Sequence, residues 1–114
     1  MEFEFIRGDT KKLKFQIKDK NGTILKLDPD RDRLYFTLKA HSNSKKILLQ
    51  KKFPQNIIFK DDYYYITLLP EDTSDLSYGT YNYDIEIVSG TITKTLLLGT
   101  ITLTDEITWK GDEN

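Results

Sequence analysis

The stretch "EDTSDLSYGTYNYDIEI", residues 71–87, decides how this chain folds. Its first half is acidic and rich in turn formers. After Gly79 it runs into strict alternation, with Tyr81, Tyr83, Ile85 and Ile87 on one side and Asn82, Asp84 and Glu86 on the other. A period of two marks a strand that buries one face and hydrates the other. Acidic groups beside tyrosines can equally form a binding or catalytic loop, so the stretch poses a question of function as well as of fold.

The same period extends in both directions. Phe3 and Phe5 alternate with glutamates, and Leu13, Phe15 and Ile17 alternate with Lys12, Lys14, Gln16 and Lys18. Leu34, Phe36 and Leu38 alternate with Tyr35, Thr37 and Lys39, and Tyr64, Ile66 and Leu68 with Tyr63, Tyr65 and Thr67. Turn formers separate these runs. "DKNG" (19–22) carries Asn-Gly, whose two residues both tolerate positive φ and so predict a tight hairpin. "LDPDRDR" (27–33), "HSNS" (41–44), "KDD" (60–62) and Ser89-Gly90 supply further turns. No 11-residue window has helical spacing, and Pro70 suits at most one short helical turn near residues 70–76. The pattern predicts an all-β chain, an antiparallel β-sandwich of about seven to nine strands. In its last strand the apolar phase moves from even positions (Ile92, Leu96, Leu98) to odd ones (Ile101, Leu103), which predicts a β-bulge at Gly99.

Composition narrows the function classes. With 114 residues there is room for one domain, and 38% hydrophobic content with 12% aromatics is too rich for a disordered chain. The absence of cysteine excludes disulfide frameworks and thiolate metal sites. "MEFEFIRGDT" has no basic segment followed by an apolar core, and runs such as Leu96–Leu98 fall far short of the roughly 20 residues of a membrane span. Neither a signal peptide nor a membrane partner is expected, which places assembly in the cytoplasm. Net charge is −1, but residues 1–60 carry +8 and residues 61–114 carry −9. Either the two halves pair so that their charges meet across the sheets, or the surface is bipolar and steers head-to-tail contact between copies.

The candidates for chemistry are weak. His41 is the single histidine, in a polar loop with Ser42 and Ser44, and lacks the supporting carboxylate of a triad. Asp28, Asp30 and Asp32 have calcium-loop spacing, but Arg33 and Lys39 stand where that loop needs glycine and a bidentate glutamate. "RGD" (7–9) reads as a glycine-containing bend. Adjacent carboxylates at Asp61-Asp62, Glu71-Asp72 and Asp105-Glu106 would point to opposite faces of a strand and suit turns better than catalysis. Lys11, Lys12, Lys14, Lys45, Lys46, Lys51 and Lys52 can follow a phosphate backbone with Tyr63 or Tyr65 stacking on bases, or can protect strand edges from aggregation. The near-zero net charge favours the second use, so a nucleic-acid partner is not expected. No catalytic residue, cofactor or metal site is expected.

The chain resembles a family of small phage and prophage structural proteins of Gram-positive bacteria, relatives of which form the N-terminal domain of baseplate upper proteins. The residues that carry the likeness are Arg7–Thr10 ("RGDT"), Lys18–Gly22, Tyr35–Lys39, Glu71–Thr73, Leu76, Gly79, Tyr81, Tyr83–Ile85, Thr95, Gly99, Leu103 and Ile107-Thr108. The resemblance implies an immunoglobulin-like sandwich over residues 1–108, with 109–114 as a polar tail. It implies a virion, tail or baseplate component without enzymatic activity, bound to other virion proteins or to itself. The chain departs from true immunoglobulin domains in having no cysteine pair and its one tryptophan at Trp109. On this reading Pro70–Leu76 crosses between the sheets, Asp72 and Gly79 shape the corner, and Tyr81 or Tyr83 serves as a tyrosine corner. Tyr63, Tyr65 and Tyr78 are the candidate partner-binding residues, because interfaces favour aromatic anchors. A carbohydrate- or cell-wall-binding module is the alternative, and a weak nucleic-acid binder a second alternative.

Overall fold

Alternation becomes two sheets. The computed structural model describes residues 2–41 and 43–104, in the order β1 (Glu2–Ile6), β2 (Lys11–Phe15), β3 (Asp32–Lys39), β4 (Leu49–Phe53), β5 (Ile57–Lys60), β6 (Tyr63–Leu68), a single helical turn α1 (Pro70–Thr73), β7 (Gly79–Ser89) and β8 (Ile92–Thr104). Five strands form one sheet in the order β1-β8-β7-β3-β4, and three form the other in the order β2-β6-β5. The fold is an all-β sandwich. Its larger sheet centres on the G-F-C group of an immunoglobulin domain with C′ added beyond C, and its smaller sheet corresponds to B-E-D. One pairing departs from the antiparallel expectation: β1 runs parallel to β8, with Glu2 opposite Thr100 and Ile6 opposite Thr104.

The inward positions are those of the sequence period. Leu34, Phe36, Leu38, Tyr81, Tyr83, Ile85, Ile87, Ile101 and Leu103 from the large sheet meet Leu13, Ile57, Tyr64, Ile66 and Leu68 from the small one. Burial of such side chains stabilises by about 1.5–3 kcal/mol each and fixes the register, since a slip of one residue would expose them all. Tyr64 lies at the centre of an aromatic cluster. Its ring lies 4.8 Å from Phe59, 5.7 Å from Phe15 and 5.8 Å from Phe53, centroid to centroid. Its hydroxyl donates to Leu25 O and accepts from Leu27 N–H, both at 2.9 Å, tying the β2–β3 connection to the core.

Three expectations are corrected. The bulge falls at Leu96, not Gly99: Ile85 pairs with Leu97 and Glu86 with Thr95, whereas Gly99 pairs regularly with Tyr83. The phase is therefore reset early, which turns Leu97 inward and leaves Leu98 68% exposed, while Ile92, opposite Ser89 at the hairpin end, is 65% exposed. At "DKNG" only Gly22 has positive φ (85°). The loop instead runs from Asp19 to Thr23, whose amides and carbonyls close it with the Asp19 carboxylate, and glycine takes its left-handed position. Finally, among the described residues no carboxylate lies directly opposite a lysine or arginine in any ladder. Lysines face tyrosines instead: Lys14 opposite Tyr65, Lys60 opposite Tyr63, Lys52 opposite Tyr35. The expected domain end at residue 108, Asp105-Glu106, Trp109 and the tail lie outside the described residues.

Candidate interaction face and the corner joint

The sequence candidates divide between two places. Tyr63 and Tyr65 lie on β6, the middle strand of the small sheet, and alternate with buried Tyr64, Ile66 and Leu68. They therefore stand on its outer face, with ring centroids 6.4 Å apart and planes inclined by 47°. The neighbouring strand brings Lys14 Nζ to 4.7 Å from the Tyr63 ring centroid and Lys12 Nζ to 5.8 Å from that of Tyr65. On the other side β5 contributes Lys60 and Ile58, the latter 62% exposed. The strands' outward residues thus combine three lysines, two tyrosines, Ile58 and Thr67, and Asp61 of the β5–β6 turn borders the same face. Both ammonium groups thus lie within cation–π reach of the rings.

Tyr78 is elsewhere. The Arg7 guanidinium lies 4.3 Å over its ring, Nη2 donates to its hydroxyl at 3.1 Å, and Nη1 donates to Leu76 O at 3.1 Å. The amide of Gly8 donates to the buried Thr73 Oγ1 at 2.9 Å. "RGDT" and "EDT" are thus two halves of one joint, which clamps the crossing from β1 to β2 against the crossing from β6 to β7. Asp72 accepts from Leu69 N–H at 2.7 Å, holding the first turn of α1, and from Lys51 Nζ at 2.8 Å. Tyr81 Oη donates to Ser77 O at 2.7 Å, the arrangement of a tyrosine corner. Tyr83 is packed differently, between Phe36 at 5.3 Å and Phe3 at 6.0 Å, and burial raises its pKa. Gly79, with φ of 135°, makes the bend that starts β7 in a conformation side chains resist.

The remaining polar motifs serve turns. Asp28 accepts from the Asp30 amide at 2.9 Å, and the buried Asp32 accepts from Ser89 Oγ at 2.6 Å and from the Asp28 amide at 2.9 Å. The Ser89 hydroxyl first, and then the Asp28 amide, holds the Asp32 carboxyl below its ordinary range. Asp61 and Asp62 both have positive φ, 53° and 70°, as the two-residue turn between β5 and β6 demands. His41 is exposed, and Ser42 lies outside the described residues. The role of one participant escaped the sequence reading. Lys51 sits in core phase between Leu49 and Phe53, opposite buried Phe36, and a lysine in that phase signals a partner at the sheet's end. Lys12 and Lys14 were legible as an outward row, but not as partners of particular tyrosines.

The strand order and the corner define a module of the immunoglobulin-like sandwich class. No protein-family model matches the chain, and no curated protein matches it.

Proposed function

We propose that the protein is a non-enzymatic structural component of a phage or prophage particle, of the tail or baseplate kind, which acts through protein–protein contacts. The observation that carries this reading is where the polar motif residues go. Arg7, Gly8, Asp72, Thr73 and Tyr81 direct their polar groups at one another and at neighbouring backbone, so the motifs behind the resemblance are spent on the fold. What is left outward is a rigid, aromatic and basic sheet face, and tyrosines on such a face are the anchors that interfaces favour. Prophage induction followed by mass analysis of purified particles tests the reading. The protein is expected in the particles, and its absence from them overturns the proposal.

The lysines around Tyr63 and Tyr65 also favour, as a second reading, weak binding of single-stranded nucleic acid, which predicts affinity falling steeply with salt. A titration with a labelled oligonucleotide at low salt that shows no binding removes it. The carbohydrate alternative fares worse on geometry, since a sugar stacks on coplanar exposed rings. Here the two planes are inclined by 47°, and a lysine ammonium approaches each ring.

A further inference from the structure

Among the described residues, the large sheet also turns a polar face outward, and its charge is divided. The strands β1, β8 and β7 turn Glu2, Glu4, Asp84 and Glu86 outward, interspersed with threonines, Asn82 and Leu98; their one cation, the exposed Lys94, lies opposite Ile87 in the other phase. Bases begin only at β3 and β4, with Arg33, Lys39 and Lys52. Between the two regions lies an open hollow of about 470 Å³, lined by Glu2, Asp84, Asn82, Thr100, Leu98 and Lys39. The small sheet, on the opposite side of the sandwich, turns outward Lys12, Lys14 and Lys60 with Ile58, Tyr63, Tyr65 and Thr67, and the one carboxylate lining the hollow on this face is Asp61 of the β5–β6 turn.

We infer that these two faces recognise each other between copies. The basic small-sheet face of one copy docks on the acidic β1–β8–β7 face of the next, setting three lysines against four carboxylates and seating Ile58 over the hollow. This rests on the proposed role in protein–protein contact and names the partner as a second copy of this chain. Charge limits the arrangements. A symmetric contact through the small sheet would set three lysines against three, and one centred on β1–β8–β7 would oppose four carboxylates to four, whereas a twofold contact across the whole large sheet would set these carboxylates against Arg33, Lys39 and Lys52. Like charges in apposition cost more than such a contact returns. The contact between the unlike faces of successive copies is heterologous and propagates as a row or ring, whereas a contact through the large sheet alone would close as a twofold dimer. A total charge of −1 leaves little overall repulsion between copies. Each face is about three strands wide, at roughly 4.8 Å per strand, which makes one contact small and the row dependent on repetition.

Sedimentation velocity of the full chain tests this. The weight-average mass is expected to rise with concentration up to about 500 μM without levelling at a dimer. It is expected to fall in about 0.5 M salt, where exposed charges are screened. Lys14→Glu with Lys60→Glu on one face, and Asp84→Lys with Glu86→Lys on the other, each weaken association by about tenfold or more. An equal mixture of the two variants regains it, because each reversed face now meets a reversed partner. Circular dichroism confirms that both variants fold; where one does not, Ile58→Asp replaces it and is expected to weaken association in the same way. A wild type that stays monomeric, a closed dimer whatever its salt dependence, or variants that associate as the wild type does, overturns the inference. A monomeric wild type that is nonetheless found in particles overturns the inference alone and leaves the proposed function standing.

Discussion

Removing single tyrosine hydroxyls separates the two structural tyrosines by how well water can replace each bond. Tyr64→Phe deletes two hydrogen bonds at 2.9 Å. One partner, the Leu27 amide, belongs to a residue only 4% exposed, so no water reaches it; the other, Leu25 O, belongs to a residue 38% exposed. An orphaned buried backbone group costs about 1–3 kcal/mol, so Tyr64→Phe is expected to cost about 2–3 kcal/mol in total. Tyr81→Phe removes one bond, to a carbonyl of the exposed Ser77, and is expected to cost about 1 kcal/mol because water takes the vacated position. Urea unfolding followed by far-UV circular dichroism reads both, and the melting temperature is expected to fall by roughly 4 °C per kcal/mol. Burial also raises the Tyr64 pKa, so its bonding is fully present below the unfolded value near 10 and is lost as pH rises through the folded value. The wild type should accordingly lose its advantage over Tyr64→Phe in strong alkali. A Tyr64→Phe protein as stable as the wild type, or more stable than Tyr81→Phe, would refute the reasoning.

Other perturbations follow from the same geometry. Asp32→Asn is expected to lower stability at neutral pH. Since the folded carboxyl titrates below its ordinary value of 3.8, its contribution is present above that value and lost as pH falls through the folded pKa. Acid titrations of the two proteins should therefore converge at low pH, and parallel curves would count against the Ser89 contact. Lys51 and Asp72 are each about 12% exposed, and a double-mutant cycle with Lys51→Met and Asp72→Asn is expected to give a coupling of about 1–2 kcal/mol. A coupling near zero would demote the pair to a surface contact. Arg7→Lys keeps the charge but loses the forked contact to Leu76 O and Tyr78, and is expected to destabilise by about 1–2 kcal/mol in thermal melts. Full stability in that variant would mean the joint does not depend on the guanidinium.

Much of the sandwich was legible because its strands obey one rule. Wherever one face is buried, period two names the face, and Leu13, Leu34, Tyr64 and Tyr81 all lie where alternation puts them. The rule weakens where a strand passes through a phase change. A bulge can sit at any residue between the last position of one phase and the first of the next, and glycine only makes it cheaper at one of them. Leu96 took it, beside the half-exposed stretch above β1's reach, where β8 has no second ladder to disturb. The Asn-Gly turn was misassigned for a related reason. The same two letters serve a two-residue hairpin or the end of a three-residue one, and the Asp19 carboxylate, which accepts from the amides of Asn21 and Thr23, decides for the longer loop.

The candidate face was legible on one axis only. Alternation along β6 sets Tyr63 and Tyr65 outward, and alternation along β2 does the same for Lys12 and Lys14, because each is a statement about a single strand. That the lysines lie over those rings depends on which strands are neighbours and in which register. Both are settled by the sandwich as a whole, through Leu13 meeting Ile66 and Phe15 meeting Tyr64 in the core. The charge imbalance between the halves of the chain misled for the same reason. Opposite charges remote in sequence suggest pairs across a ladder, but the topology sends β2 to the small sheet with β6 and β5, and sends the acidic alternation of β7 to the large one. Part of the segregation thereby becomes segregation between faces, with Lys12, Lys14 and Lys60 outward on the small sheet and Asp84 and Glu86 outward on the large one, which also carries Glu2, Glu4, Arg33, Lys39 and Lys52 from the first half of the chain. The acidic half of "EDTSDLSYGTYNYDIEI" is spent on the corner, through Asp72, while Asp84 and Glu86 remain on the outer face, charged and directly opposite no cation. A basic face on the small sheet and an acidic region on the large one are a means of ordering copies against one another, which the formal net charge of the chain conceals.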